Sequence, residues 1–154
     1  MYEILKFGHV LCMFTAATIF VGGEFYGFGI ERSRDVPGIR RYYTVEKRLE
    51  PVAIGIVILG GILGLITALN GHLDLTQTWL VMGYGFFLAL MLTGIIFWGP
   101  RSTAILEAAQ ASPDDAPSAE LEAVLTRRHD PIVIVFDGFL WVGVLFTMVT
   151  KPFS

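Results

Sequence analysis

Apolar residues are gathered into four long runs separated by polar segments. The runs cover residues 4–28, 52–69, 75–99 and 132–150. Each run is close to or above the ~18–20 residues that an α-helix needs to cross a bilayer core of about 30 Å. The runs lack the alternation of polar and apolar positions found in membrane barrels, so the spanning elements are predicted to be helices.

The segments between the runs predict further helices outside the membrane core. Residues 39–50 contain few helix breakers and predict a helix that leads into the second run, and residues 102–111 extend the third. A turn is predicted at residues 112–117, followed by a capped helix that begins at Ser118. The sequence thus predicts an all-α fold, a single four-helix transmembrane bundle with a helical cytoplasmic extension between helices 3 and 4.

The distribution of basic residues predicts the orientation of the chain. The two long loops, residues 29–51 and 100–131, together hold nine Lys and Arg residues, whereas residues 70–74 hold none. Because Lys and Arg concentrate in cytoplasmic loops, both long loops are predicted to be cytoplasmic and both termini to lie outside. We expect a multi-pass protein of a bacterial inner (plasma) membrane, with the lipid bilayer as its immediate partner.

Composition narrows the possible functions. The chain is 54% hydrophobic and only 16% charged, and its formal net charge is -3. No basic patch is interleaved with aromatic residues, which argues against nucleic acid as a partner. Cys12 is the single cysteine, so no disulfide forms within one chain. The sequence contains no Cys-x-x-Cys-His, no glycine-rich phosphate loop and no His-Glu-x-x-His.

Histidines are the first candidate functional residues. His9 shares a helical stripe with the small residues Ala16 and Gly23, a pattern typical of a face that packs against another helix. An imidazole there needs a hydrogen-bond partner or a metal. His9 is therefore either a core histidine bonded to a neighbouring helix or a ligand to haem iron or copper. His72, at the outer end of the second run, is an interfacial residue or a second ligand, and His129 is predicted to be solvated on the opposite side.

Two carboxylates lie inside apolar runs. Glu24 is near the inner end of the first run and Asp137 is less than two turns into the fourth. Ionisable groups are costly inside a membrane, so both are expected to have partners. The predicted partners are first-loop arginines, Arg32, Arg40 or Arg48, and the alternative is a proton entry route or a clamp for a polar ligand.

Sulfur-containing residues bring copper into consideration. Met13, Met82 and Met148 fall in the outer half of the membrane together with Cys12. Soft sulfur ligands beside a histidine suit Cu(I), although methionine is also a common apolar filler. A copper site and simple packing both stay open.

The whole chain resembles a bacterial family of four-helix integral membrane proteins of unknown function. The resemblance is carried by Leu5-Lys6-Phe7-Gly8-His9-Val10, the basic first loop, the Trp-Gly-Pro of residues 98–100 and the Ala-rich segment that follows. It implies the four-helix architecture alone.

The first half also resembles the HemJ-type protoporphyrinogen oxidases, four-helix proteins that bind haem b. Lys6 and His9 match the start of that family's first helix, Gly22 or Gly23 a following glycine, and residues 46–49 a segment before the second helix. The resemblance implies that His9 is a haem ligand. The stretch at residues 79–83 ends in glycine where that family has a functional lysine, so oxidase activity is not implied. A similar plan with outer histidines and methionines occurs in the copper-resistance D family.

These observations lead to one expected function and two alternatives. The expectation is a small haem b-binding membrane protein for electron transfer, or an accessory subunit of a membrane redox complex. His9 would be an axial ligand, with His72 or Met82 opposite. The alternatives are a cofactor-free structural or assembly subunit and a copper-handling protein. Other membrane subunits or further copies of the chain are the expected protein partners.

Overall fold

The computed structural model describes residues 1–127 and 130–152, in which every regular element is helical. Helices α1, α2 and α3 are followed by a one-turn π-helix, here called the π turn, and by α4, α5 and α6. Their bounds are α1 Tyr2–Ser33, α2 Val36–Asn70, α3 Thr78–Thr93, the π turn Gly94–Trp98, α4 Gly99–Ala111, α5 Ala119–Leu125 and α6 Asp130–Thr150. The predicted all-α class is confirmed.

Within the described residues, four helical stretches are long and apolar enough to cross a membrane. They contain α1, α2, the continuous α3–π turn–α4 segment and α6. Large apolar side chains such as Phe7, Phe14 and Val149 point outward along them, with 67%, 71% and 79% of their surface exposed. Such faces match a lipid environment rather than water. The stretches are consistent with the predicted four-helix transmembrane bundle.

Helices α1 and α2 extend well beyond the apolar runs that predicted them. Residues 29–51 were expected to connect the first two runs, with a helix over residues 39–50 leading into the second. That helix is present as part of α2, and only Arg34 and Asp35 separate α1 from α2. Arg34 adopts the left-handed conformation with φ 57°, and its backbone N–H bonds to the carbonyl of Glu31, which ends α1. Pro37 lies in the first turn of α2, where the missing N–H leaves no intrahelical bond unmade.

The chain divides into two compact units, the first of which comprises residues 1–72 and 103–125. Within it, α1 and α2 run antiparallel and pack closely through small residues. Beyond the apolar runs, α2, α4 and α5 enclose a small core of their own. Its buried members are Val36, Ile39, Tyr43, Ile105, Ala109 and Leu121.

The second unit comprises residues 73–102 and the described part of 126–154. Here α3 packs against α6 around the buried side chains of Leu90, Leu140 and Val144. Glycine again allows close approach, because a Cβ at Gly143 would lie 3.0 Å from the ring of Phe86. The unit thus consists of one closely packed helix pair.

Candidate functional site

His9 lies at the contact between α1 and α2. Its side chain is half-buried, and Nδ1 is 2.7 Å from the backbone carbonyl oxygen of Gly60. A carbonyl oxygen can only accept, so Nδ1 carries the proton and donates it. A neutral imidazole in this tautomer keeps a lone pair on Nε2, which is the arrangement usual for metal-bound histidines.

Glycine at position 64 makes this placement of His9 possible. A Cβ at Gly64 would lie 2.7 Å from both Cε1 and Nδ1 of the imidazole, well inside van der Waals contact. Because Gly60 and Gly64 are one helical turn apart, the ring packs on a strip of bare backbone and bonds to one of its carbonyls. The ring is thereby fixed in position and orientation.

Two sulfur-containing residues lie on the same face of α1 as His9. Cys12 and Met13 follow it by three and four positions, which places all three side chains along one side of the helix. A Cβ at Gly60 would meet Met13 Sδ at 2.9 Å and Cys12 Cβ at 3.1 Å. One imidazole and two sulfur side chains therefore face the same turn of α2. Among the described residues, no group of three or more His, Cys, Asp or Glu is placed to hold a metal.

The other predicted ligands are placed as follows. His72 is exposed in the turn after α2, with a left-handed φ of 51°. Its backbone N–H donates to the carbonyl of Leu69 and so extends the end of the helix. Met82 is half-buried on α3, in the second unit. His129, the histidine predicted to be solvated, lies outside the described residues, as does Arg128.

A second polar cluster lies in the unit formed by α3 and α6. The indole N–H of Trp98, the last residue of the π turn, donates to Oδ2 of Asp137. Asp137 is only 3% exposed, and its Oδ1 is buried with no hydrogen-bond partner in the described part of the chain. The Arg101 guanidinium lies 5.9 Å from the centre of the Trp98 ring, and its Nε donates to Asp130 Oδ2 at 2.7 Å. A buried ion pair and a buried carboxyl thus flank one tryptophan.

The first-loop arginines have different surroundings from one another. Arg40 forms an ion pair with Asp114 at 2.9 Å and donates to the carbonyl of Ala109, which fastens α2 to the end of α4. Arg32 and Arg48 are exposed and make no hydrogen bond or ion pair with any described residue. Glu24 is half-buried on α1.

Tyrosines of α2 form polar contacts with α1 that sequence reasoning did not identify. Tyr43 donates its hydroxyl proton to the buried carboxylate of Glu31. Tyr42 donates to the carbonyl of Gly23 at 2.6 Å, and its ring lies against Gly27. The sequence held one indication that Glu31 could be a functional residue: it lies two helical turns after Glu24, which places both on the same face of α1. These contacts fix the register of α1 against α2 in the part of α1 that follows His9.

Trp98, Arg101 and Asp130 were likewise absent from the predicted site. Arg101 was counted only as a loop charge, whereas its side chain is 4% exposed. Trp98 was noted only as part of a sequence pattern. The feature that points to these residues is the π turn, because departures from regular helix occur often at functional sites. The π turn is seen only in the structure and could not be predicted from the sequence.

Comparisons of the chain with family models, curated proteins and solved structures give no match.

Proposed function

We propose that this chain is a multi-pass membrane protein that binds haem b through His9 and serves electron transfer or a membrane redox complex. One observation carries the proposal. The Nδ1–H of His9 is bonded to the Gly60 carbonyl, which leaves Nε2 as the nitrogen available to a metal. A donor set of neutral imidazole with a backbone-anchored N–H fits the axial ligation of haem iron.

The residues around His9 would set the geometry of such a site. The Gly60 carbonyl holds the tautomer and the angle of the ring, and Gly64 leaves room for the ring against α2. Haem, when bound, would supply a one-electron redox centre, and its potential would depend on whether a second protein side chain also binds the iron. Within the first unit the proposed second ligand is His72, and Met82 is the alternative expected from the sequence.

The test is the visible absorbance of protein expressed with an ample supply of haem. The parent is expected to show a Soret band and sharp reduced α and β bands. His9→Ala should remove or severely weaken them, and His72→Ala and Met82→Ala should show which residue is the second ligand. A change in spin state with haem retained would identify it. A well-folded parent without colour would refute haem binding and leave the cofactor-free structural subunit as the better proposal.

Copper is the second candidate, favoured by the placement of Cys12 and Met13. Both sulfur side chains face the same turn of α2 as His9, and thiolate, thioether and imidazole together suit Cu(I). Purified protein incubated with Cu(I) and desalted should then retain the metal, and Met13→Leu should lower the retained amount. Retention that is equal in the parent and in a His9→Ala/Met13→Leu variant would exclude this site.

We further propose that both termini lie outside the cytoplasm. The charge difference between the loops supports this orientation. A reporter fused after Ser154 should be accessible to an impermeant reagent from outside, and a tag inserted beside Asp115 only after the membrane is opened. The reverse pattern of accessibility would invert the topology.

A further inference from the structure

One outward-facing stripe runs almost the full length of α2. Exposed residues recur every three or four positions along it, and it passes through Arg41, Arg48, Val52, Leu59 and Ile66. The C-terminal part of the stripe, from Val52 onward, is apolar. Val52 is 56% exposed and Leu59 is 50% exposed, as expected for a surface that faces lipid. The N-terminal part of the same stripe carries two arginines, Arg41 and Arg48.

These two arginines differ from Arg34 and Arg40 in having no partner among the described residues. Arg34 pairs with Glu122, and Arg40 pairs with Asp114. In contrast, Arg41 and Arg48 are exposed and make no hydrogen bond or ion pair with any residue that the structure describes. Two cations on one helix face are therefore left for an anion from outside the chain.

The position of Arg48 along the helix indicates where that anion is. Arg48 lies four positions before Val52, a distance of about 6 Å along the helix axis at 1.5 Å per residue. The polar headgroup layer on each side of a bilayer is about 5–8 Å thick. Side chains tilt toward the helix N-terminus, so the guanidinium of Arg48 reaches away from the apolar part of the stripe and into this layer. Arg41 lies about 10 Å further along the helix axis, in the water beyond this layer, so it acts on the lipid only through longer-range attraction.

We propose that Arg48 binds the phosphate of an anionic phospholipid at the boundary of the membrane, with Arg41 adding a weaker, longer-range attraction. A guanidinium offers two parallel N–H donors that match the oxygens of a phosphate. The stripe of α2 that carries the arginine continues directly into the lipid-facing surface. The acyl chains of the same lipid would lie along Val52 and Leu59. Charge and apolar contact together select a phospholipid over a free anion.

The test is lipid binding by the full chain in detergent, followed by native mass spectrometry. The probes are phosphatidylglycerol, phosphatidylcholine and inorganic phosphate. The parent should prefer phosphatidylglycerol. A basic residue near an anionic membrane contributes roughly five-fold in affinity, so Arg48→Gln should weaken binding about five-fold and Arg41→Gln by less than that. Neither change should alter the unfolding midpoint, since neither side chain has a partner among the described residues.

Arg127→Gln is the matched control, because Arg127 is exposed, carries the same charge and is not part of the α2 stripe. It should bind phosphatidylglycerol like the parent. Equal losses in Arg127→Gln and Arg48→Gln would mean that net charge alone attracts the lipid, which overturns the proposal. Equal affinity for phosphatidylglycerol and phosphatidylcholine would also overturn it. If equimolar inorganic phosphate displaces phosphatidylglycerol, the ligand of this site is a free anion rather than a lipid, and the proposal is wrong.

Discussion

Substitution of Gly64 by alanine should disrupt the contact between α1 and α2 at a point where the two helices pack very closely. The added Cβ would lie 2.7 Å from two atoms of the His9 ring, whereas ordinary contact begins near 3.4 Å. The ring cannot simply rotate away, because its Nδ1 is bonded to the Gly60 carbonyl at 2.7 Å. Either the helices separate or the hydrogen bond is lost.

The size of the effect follows from these two terms and one that opposes them. Overpacking costs about 1–3 kcal/mol. Loss of the hydrogen bond would cost about 0.5–1.5 kcal/mol. Alanine favours the helical backbone over glycine by up to about 1 kcal/mol, which offsets part of the loss. We expect Gly64→Ala to lower the free energy of unfolding by about 2 kcal/mol.

The adjacent Gly61→Ala is the control, because a Cβ there has no atom within 4 Å and gains only the helix preference. Unfolding by titration with a denaturing detergent, followed by circular dichroism, would compare the two variants. The steric origin is tested by repeating Gly64→Ala in a His9→Ala background, where its cost should disappear. If Gly64→Ala is as stable as Gly61→Ala, or if its cost persists without the imidazole, the packing argument is wrong.

Two further predictions concern charged groups. Asp130→Ala should lower the free energy of unfolding by about 3–5 kcal/mol because it removes the carboxylate paired with the buried Arg101 guanidinium, whereas Asp114→Ala, which breaks an exposed pair, should cost at most about 1 kcal/mol; equal costs in the same detergent titration would contradict this. The Thr76 hydroxyl, and then its backbone N–H, lower the pKa of Asp74 from 3.8. Thr76→Ala should raise that pKa in a carboxyl NMR titration, and the small stability that Asp74 contributes above its unfolded pKa, lost on acidification through the folded pKa, should shrink; an unchanged pKa would exclude the hydroxyl as a cause.

The sequence predicted the helical class and the four spans because apolar runs report directly on the thickness of the bilayer. It predicted the helical segment of residues 39–50 at the start of α2, but not that α1 continues to Ser33 or that α2 already begins at Val36. An apolar run marks the part of a helix that faces lipid, whereas the helix itself continues as long as its backbone and side chains find partners. Ile39 and Tyr43 are buried against residues of α4 and α5, and that contact depends on segments distant in the sequence.

The candidate site shows the same limit. Small residues along the first run indicated that His9 faces another helix, but neither its acceptor nor the matching glycine could be identified without the register of α1 against α2. For Asp137, charge complementarity suggested an arginine partner, whereas the structure gives an indole N–H. A neutral donor leaves no charge pattern in the sequence, so reasoning from charge alone could not identify Trp98.

The π turn before Trp98 has a consequence for how this segment tolerates insertions and deletions. Regular helix advances about 100° per residue, and a turn with one additional residue shifts the phase of everything that follows by that amount. Trp98 and Arg101 face Asp137 and Asp130 with this shift in place. Removal of one residue between Gly94 and Phe97 would restore regular helix and turn both side chains about a quarter of a circle away from their partners. At this point of the chain, the number of residues matters as much as their identity.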